Sequence, residues 1–147
     1  MDVGFYHLTR TPLDEALPAL LGKTLDAGER ALVRCPDEAS VAQLDEALWN
    51  VRDPVWLPHG TEKMGHAPFQ PIWLTANNDA PNGAKFLFRI DGAGESEFSL
   101  FTRVFDLFDG RNSNSVQRAR ERWKLLKSMG HTLVYWQQQA HGWKKAG

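Results

Sequence analysis

One cysteine, five histidines and three adjacent carboxylate pairs are the groups in this sequence of 147 residues that could carry out catalysis or hold a metal. Cys35 ends the apolar run RALVRC. A thiol at a strand end can act as a nucleophile, but it needs a partner that stabilises the thiolate, and no Gly-Cys elbow accompanies it. His59 and His66 flank GTEKMG, a spacing that matches no compact metal site, and His7, His131 and His141 have no cysteine or carboxylate at ligand spacing. Asp14/Glu15, Asp37/Glu38 and Asp45/Glu46 are neighbours on helical stretches, where adjacent side chains diverge by about 100° and do not converge on one reacting atom. A phosphate site would need glycines at the first strand-to-helix turn. That turn reads HLTRTPLDEA and has none. DGAGES, at residues 91 to 96, has glycines but lies between two predicted strands, where it predicts a hairpin turn. The expectation is a chain with no catalytic residues, no metal and no cofactor.

Binding chemistry is better represented. In NSNSVQRARERWKLLKSMG, helical spacing places Val116, Ala119, Trp123, Leu126 and Gly130 on one face, with Arg120, Lys124 and Lys127 in a stripe beside it. Arg118 and Arg122 fall across from that stripe, so positive charge nearly surrounds the helix and only Glu121 opposes it in sequence. Three readings remain open: a surface helix with solvated charges, a docking site in which Arg and Lys hold carboxylates beside an apolar pocket, or a basic helix that tracks nucleic-acid phosphates. A second feature is LDEALWNVRDPVWLPHG. Val41, Leu44 and Leu48 form the buried stripe of its helix, and Trp49 projects roughly 110° from the centre of that stripe. This places a large aromatic at the edge of the domain, and Trp56 follows a few residues later.

The elements that must position these side chains are legible in outline. VGFYHL predicts a strand at residues 3 to 8, and PLDEALPALLGKTLDAG a helix that Pro18 should kink or start late and Gly28 should close. RALVRC predicts a strand buried on both faces, and Pro36 and Asp37 open the next helix. VWLPH predicts a short third strand, followed by a loop from Gly60 to Pro68. PIWLT, KFLFRI and RVFDLF predict three more strands. The basic helix is expected from about Asn112 to Met129, stopped by Gly130, with HTLVYWQQ as the terminal strand. Alternation of strands and helices predicts an α/β single domain over residues 1 to 147: a mostly parallel, mixed sheet flanked by helices, Rossmann-like without a nucleotide-binding loop.

Composition agrees with a globular domain: 42% hydrophobic, 24% charged, net charge −1. No apolar run reaches the length of a membrane span and MDVGFYHLTR lacks the pattern of a secretory signal, so no membrane contact is expected and the cytoplasm is the expected compartment. The single cysteine leaves no internal disulfide. The near-zero net charge hides a segregation, because residues 1 to 110 hold 9 Lys or Arg against 17 Asp or Glu, whereas residues 111 to 147 hold 8 against 1. An anionic partner for the C-terminal quarter follows from that distribution.

FYHL in the first strand, RALVRC in the second, LDEALW ending the second helix, Pro58-His59, and ARERW in the basic helix occur in an order in which the chain resembles the chi subunit family of bacterial DNA polymerase III holoenzyme. The resemblance implies a non-catalytic accessory protein of the clamp loader. It would bind the psi subunit on one side and the acidic, Phe-terminated C-terminal tail of single-stranded DNA-binding protein on the other, touching DNA only indirectly. Its implied tail pocket falls on Trp49, Phe108, Arg120 and Trp123, with Lys124 as a further cation, and Trp56 is the candidate for psi. A family lysine one turn before Arg120 falls on Val116, and Arg118 is the nearest substitute for its charge. The alternative function is direct DNA binding by the basic helix.

Overall fold

The computed structural model describes residues 2–10, 12–50, 57–94, 98, 100–139 and 142–145. In chain order the elements are β1 (Asp2–Leu8), α1 (Leu13–Asp26), β2 (Ala31–Arg34), α2 (Glu38–Trp49), β3 (Gly60–Thr61), β4 (Ile72–Thr75), β5 (Phe86–Ile90), β6 (Arg103–Asp109), α3 (Ser113–Ser128), β7 (Thr132–Gln139) and β8 (Gly142–Lys145), with a 3-10 turn at Ala67–Phe69. The strands form one eight-stranded sheet in the order β3-β4-β2-β5-β6-β1-β7-β8. Every pairing is parallel except the antiparallel β7-β8 edge. This is the expected mostly parallel α/β domain. No helix among the described residues is long and apolar enough to cross a membrane.

The helices form where the sequence marks their ends. Asp37 caps α2 by accepting from the Ser40 amide at 2.8 Å, and Asn112 caps α3 by accepting from Asn114 and Ser115. Gly28 and Gly130 take positive φ after α1 and α3, and each is followed by an amide that reaches back to the third-last carbonyl of its helix. Pro18 does not delay α1, which starts at Leu13 and runs through it. The missing Pro18 N–H would have met the carbonyl of Asp14, on an exposed turn where water can replace it, and the Pro18 ring itself is buried.

Two layers of core result. Strand alternation sends Tyr6, Val33, Leu74, Phe88 and Leu107 to one face with Leu17 and Leu21 of α1 and Val41, Leu44 and Leu48 of α2. The other face carries Val3, Phe5, Leu32, Leu87, Val104 and Phe108 under Ala119 and Leu126 of α3. Each fully buried leucine contributes roughly 1.5–3 kcal/mol. The chain moves from β1 to β2 in one direction across the sheet and from β6 to β7 in the other. Right-handed crossovers then require α3 to lie on the face opposite α1 and α2. The reversal occurs at β1 and β6, beside which open α/β sheets place their ligands.

Three expectations change. VWLPH does not supply a strand within the described residues: Leu57–His59 is irregular, Pro58 has no N–H to donate, and pairing begins only at Gly60. Residues 51 to 56 lie outside the described residues, and Trp56 with them. The predicted DGAGES hairpin is absent, since β5 and β6 run parallel and so are joined by a crossover instead. The buried Arg89 guanidinium organises this crossover by donating to the carbonyls of Gly92 at 2.9 Å and Ala93 at 3.1 Å. Gly92 also has a positive φ, and a Cβ there would collide with the Arg122 side chain. HTLVYWQQ is not terminal, because β8 folds back on it through Gly142.

Candidate functional site

Phe5 and His7 of β1 lie two apart and so share a face, and β6 and β7 flank that strand with Phe108 and Tyr135 on the same side. α3 passes above them. Between helix and sheet is a groove of about 580 Å³ lined by Phe5, His7, Phe108, Val116, Gln117, Ala119, Arg120, Glu121, Trp123, Lys124 and Tyr135. Trp123 stands edge-on to Phe5 at 5.2 Å and to Tyr135 at 6.1 Å, while the His7 ring stacks on Phe108 at 5.0 Å. Aromatic faces make up the floor. Arg120 and Lys124 stand exposed on the rim, and neither forms an ion pair among the described residues.

The groove tunes its own polar groups. His7 Nδ1 and the Tyr135 hydroxyl share a hydrogen bond. Burial lowers the His7 pKa below its ordinary value; a hydrogen bond with the Gly110 backbone raises it in opposition, and the Arg120 guanidinium lowers it further. Burial raises the Tyr135 pKa, with Arg120 opposing. The floor is therefore uncharged at neutral pH, while on the helix side Arg120 and Lys124 outnumber Glu121. Such an arrangement accepts a ring below and carboxylates above.

The other arginines of α3 are engaged. Arg122 donates to both oxygens of the fully buried Asp106 at 2.8 Å, and Arg118 donates to Asp91 at 2.6 Å. Positive charge thus does not surround the helix, because acids that follow β5 and sit in β6 neutralise its far side. Arg118 does not stand in for the lysine displaced by Val116: Val116 lines the groove and Arg118 pairs away from it.

Four of the five residues expected in a tail pocket, Phe108, Arg120, Trp123 and Lys124, line this one groove. Trp49 does not join them. It ends α2, which packs on β3 and β4, whereas α3 packs on β6 and β7 across the opposite face. Helical periodicity located Trp49 off its own core stripe, as its 52% exposure confirms, but periodicity is silent on which face of the sheet a helix covers. Trp49 instead lies against the His59 ring at 4.5 Å. His59 is buried, with Nε2 donating to Asp45 at 2.9 Å and Nδ1 2.7 Å from the Leu57 carbonyl, which fixes the segment after α2 to the helix. His7 and Tyr135 were not anticipated as groove residues. Strand alternation puts His7 on the same side as Phe5, yet only the strand order, with β1 between β6 and β7, reveals their neighbours.

Cys35 is buried at the end of β2, and burial, with Asp37 and Glu38 nearby, pushes its thiol up to about 12. It is protonated at neutral pH and unsuited to nucleophilic attack.

Comparison with known proteins identifies the family. The profile of the family described as DNA polymerase III chi subunit, HolC, matches residues 1–134. DNA polymerase III subunit chi of Escherichia coli K12 is 31% identical over 110 residues, covering 73% of each chain. The same subunit of Haemophilus influenzae Rd is 28% identical over 136 residues, covering 88% of this chain and 92% of the relative. With the family profile spanning six of the eight strands in full and all three helices, this chain belongs to the DNA polymerase III chi subunit family and is a replication accessory subunit.

Proposed function

We propose that the chain is a non-catalytic, cytoplasmic bridge in the clamp loader, taking the acidic, Phe-terminated tail of single-stranded DNA-binding protein in the α3 groove and binding the psi subunit through a separate surface, for which Trp56 is the candidate residue. The observation that carries this reading is the convergence of Phe108, Trp123, Arg120 and Lys124 on one groove. A terminal phenyl ring would lie between Trp123, Phe108 and Tyr135, its carboxylate on Arg120. Upstream aspartates would meet Lys124 and Lys127, in contacts that salt screens. Trp49, on the opposite face of the sheet, is not part of that groove.

Titration calorimetry with a synthetic tail peptide tests the groove. The expected dissociation constant is on the order of micromolar at low salt, and Arg120→Ala should weaken it at least about tenfold, the loss of a charge-assisted contact. Removing the terminal Phe should have a comparable effect. Unchanged affinity for the peptide without its terminal Phe would rule out the pocket.

A further inference from the structure

The face of the sheet opposite α3 carries another groove, of about 460 Å³, between the C-terminal half of α1 and the β7-β8 edge. Its walls are aromatic. Tyr6 and Trp136 lie nearly parallel, 6.3 Å and 20° apart, and Trp143 of β8 meets Tyr6 edge-on at 5.0 Å. The charged residues in the lining are both cations: Lys23 in the last turn of α1 and Arg103, whose guanidinium lies 4.7 Å over the Phe105 ring. Lys145 pairs in register with Trp136 on the edge strand and adds a third cation beside the rings. None of the three makes an ion pair among the described residues. From residue 122 to the end the sequence contains no Asp or Glu.

Two properties narrow the occupant. The sign of the charge selects an anion. Half-buried indole faces select planar rings, because a flat π surface is matched by another flat π surface. An acidic peptide without rings would satisfy Lys23 and Arg103 but would leave the exposed parts of the Trp136 and Trp143 indoles uncovered, and duplex DNA keeps its base faces covered. A single strand presents regularly spaced phosphates and open bases together. Trp136 and Trp143 lie beyond residue 134, where the family profile ends, so one wall of this groove comes from an edge that the profile does not cover.

We propose that this groove binds single-stranded nucleic acid, with bases stacked on Trp136 and Trp143 and phosphates on Lys23, Arg103 and Lys145. It is separated from the α3 groove by the thickness of the sheet and does not depend on tail binding.

Fluorescence anisotropy of a labelled oligothymidine with the intact chain tests the proposal. Binding at low salt is expected, with log affinity falling against log salt at a slope of about −2, as for roughly three phosphates on a single strand. Trp143→Ala and Lys23→Glu should each weaken it at least about fivefold, and Arg120→Ala should leave it unchanged. The proposal is overturned if oligothymidine does not bind at low salt, if duplex of equal length binds as well, if Arg120→Ala removes binding, or if a Phe-terminated acidic peptide displaces the strand. Should Trp143→Ala fail to fold by circular dichroism, Lys23→Glu on the α1 surface decides alone, and undiminished affinity in that variant overturns the proposal.

Discussion

Asp106 has no exposed surface, and its nearest cations are Arg122 at 2.8 Å and Arg89 at 4.0 Å. A carboxylate so placed depends on its partner, because removing one member of a buried pair leaves an uncompensated charge. Arg122→Ala is expected to lower stability by about 3 kcal/mol or more, read from the midpoint of urea denaturation. Nothing local in the sequence marks this arginine as structural, since within α3 only Glu121 offers a partner. His7 predicts a pH effect. Its folded pKa lies below the unfolded value near 6.5, so the unfolded chain takes up the proton first, and stability falls as pH drops through that value. Replacing His7 with Gln should flatten the pH dependence of thermal unfolding between about pH 7 and 5, relative to the unsubstituted chain.

At the scale of elements, helices were the most legible parts, because their signals are local. Asn112, Gly130 and the period of α3 mark its limits within a residue. Asn112 satisfies two amides at once, and Asn112→Ala should cost about 1 kcal/mol, seen as a lower melting temperature with α3 otherwise intact. Strands were legible as apolar runs but not as partners. DGAGES has the composition of a reversing turn, and nothing local distinguishes it from the crossover that Arg89, sixteen residues before the next strand's Phe105, holds from beneath. The order of β6, β1 and β7 was equally silent, which is why Phe108, Arg120, Trp123 and Lys124 could be named while His7 and Tyr135 could not.

Across the whole molecule, the sheet separates the surfaces that carry Trp49 and Arg120. Trp49→Ala should therefore leave tail-peptide affinity within about twofold of the unsubstituted chain, since residues this far apart without shared partners act independently. A tenfold loss in that titration would place Trp49 back in the tail site. The central position of β1 has another consequence, for biosynthesis. β1 lies between β6 and β7, and Asp2 pairs with Arg103 on one side and Thr132 on the other. At about 5–20 residues per second of synthesis, the first strand to leave the ribosome waits for several seconds without either neighbour. Both of its faces are apolar, and both of its edges are open for that interval. A ribosome stalled before β7 would therefore expose an N-terminal strand with an unpaired edge that any other unpaired edge could capture.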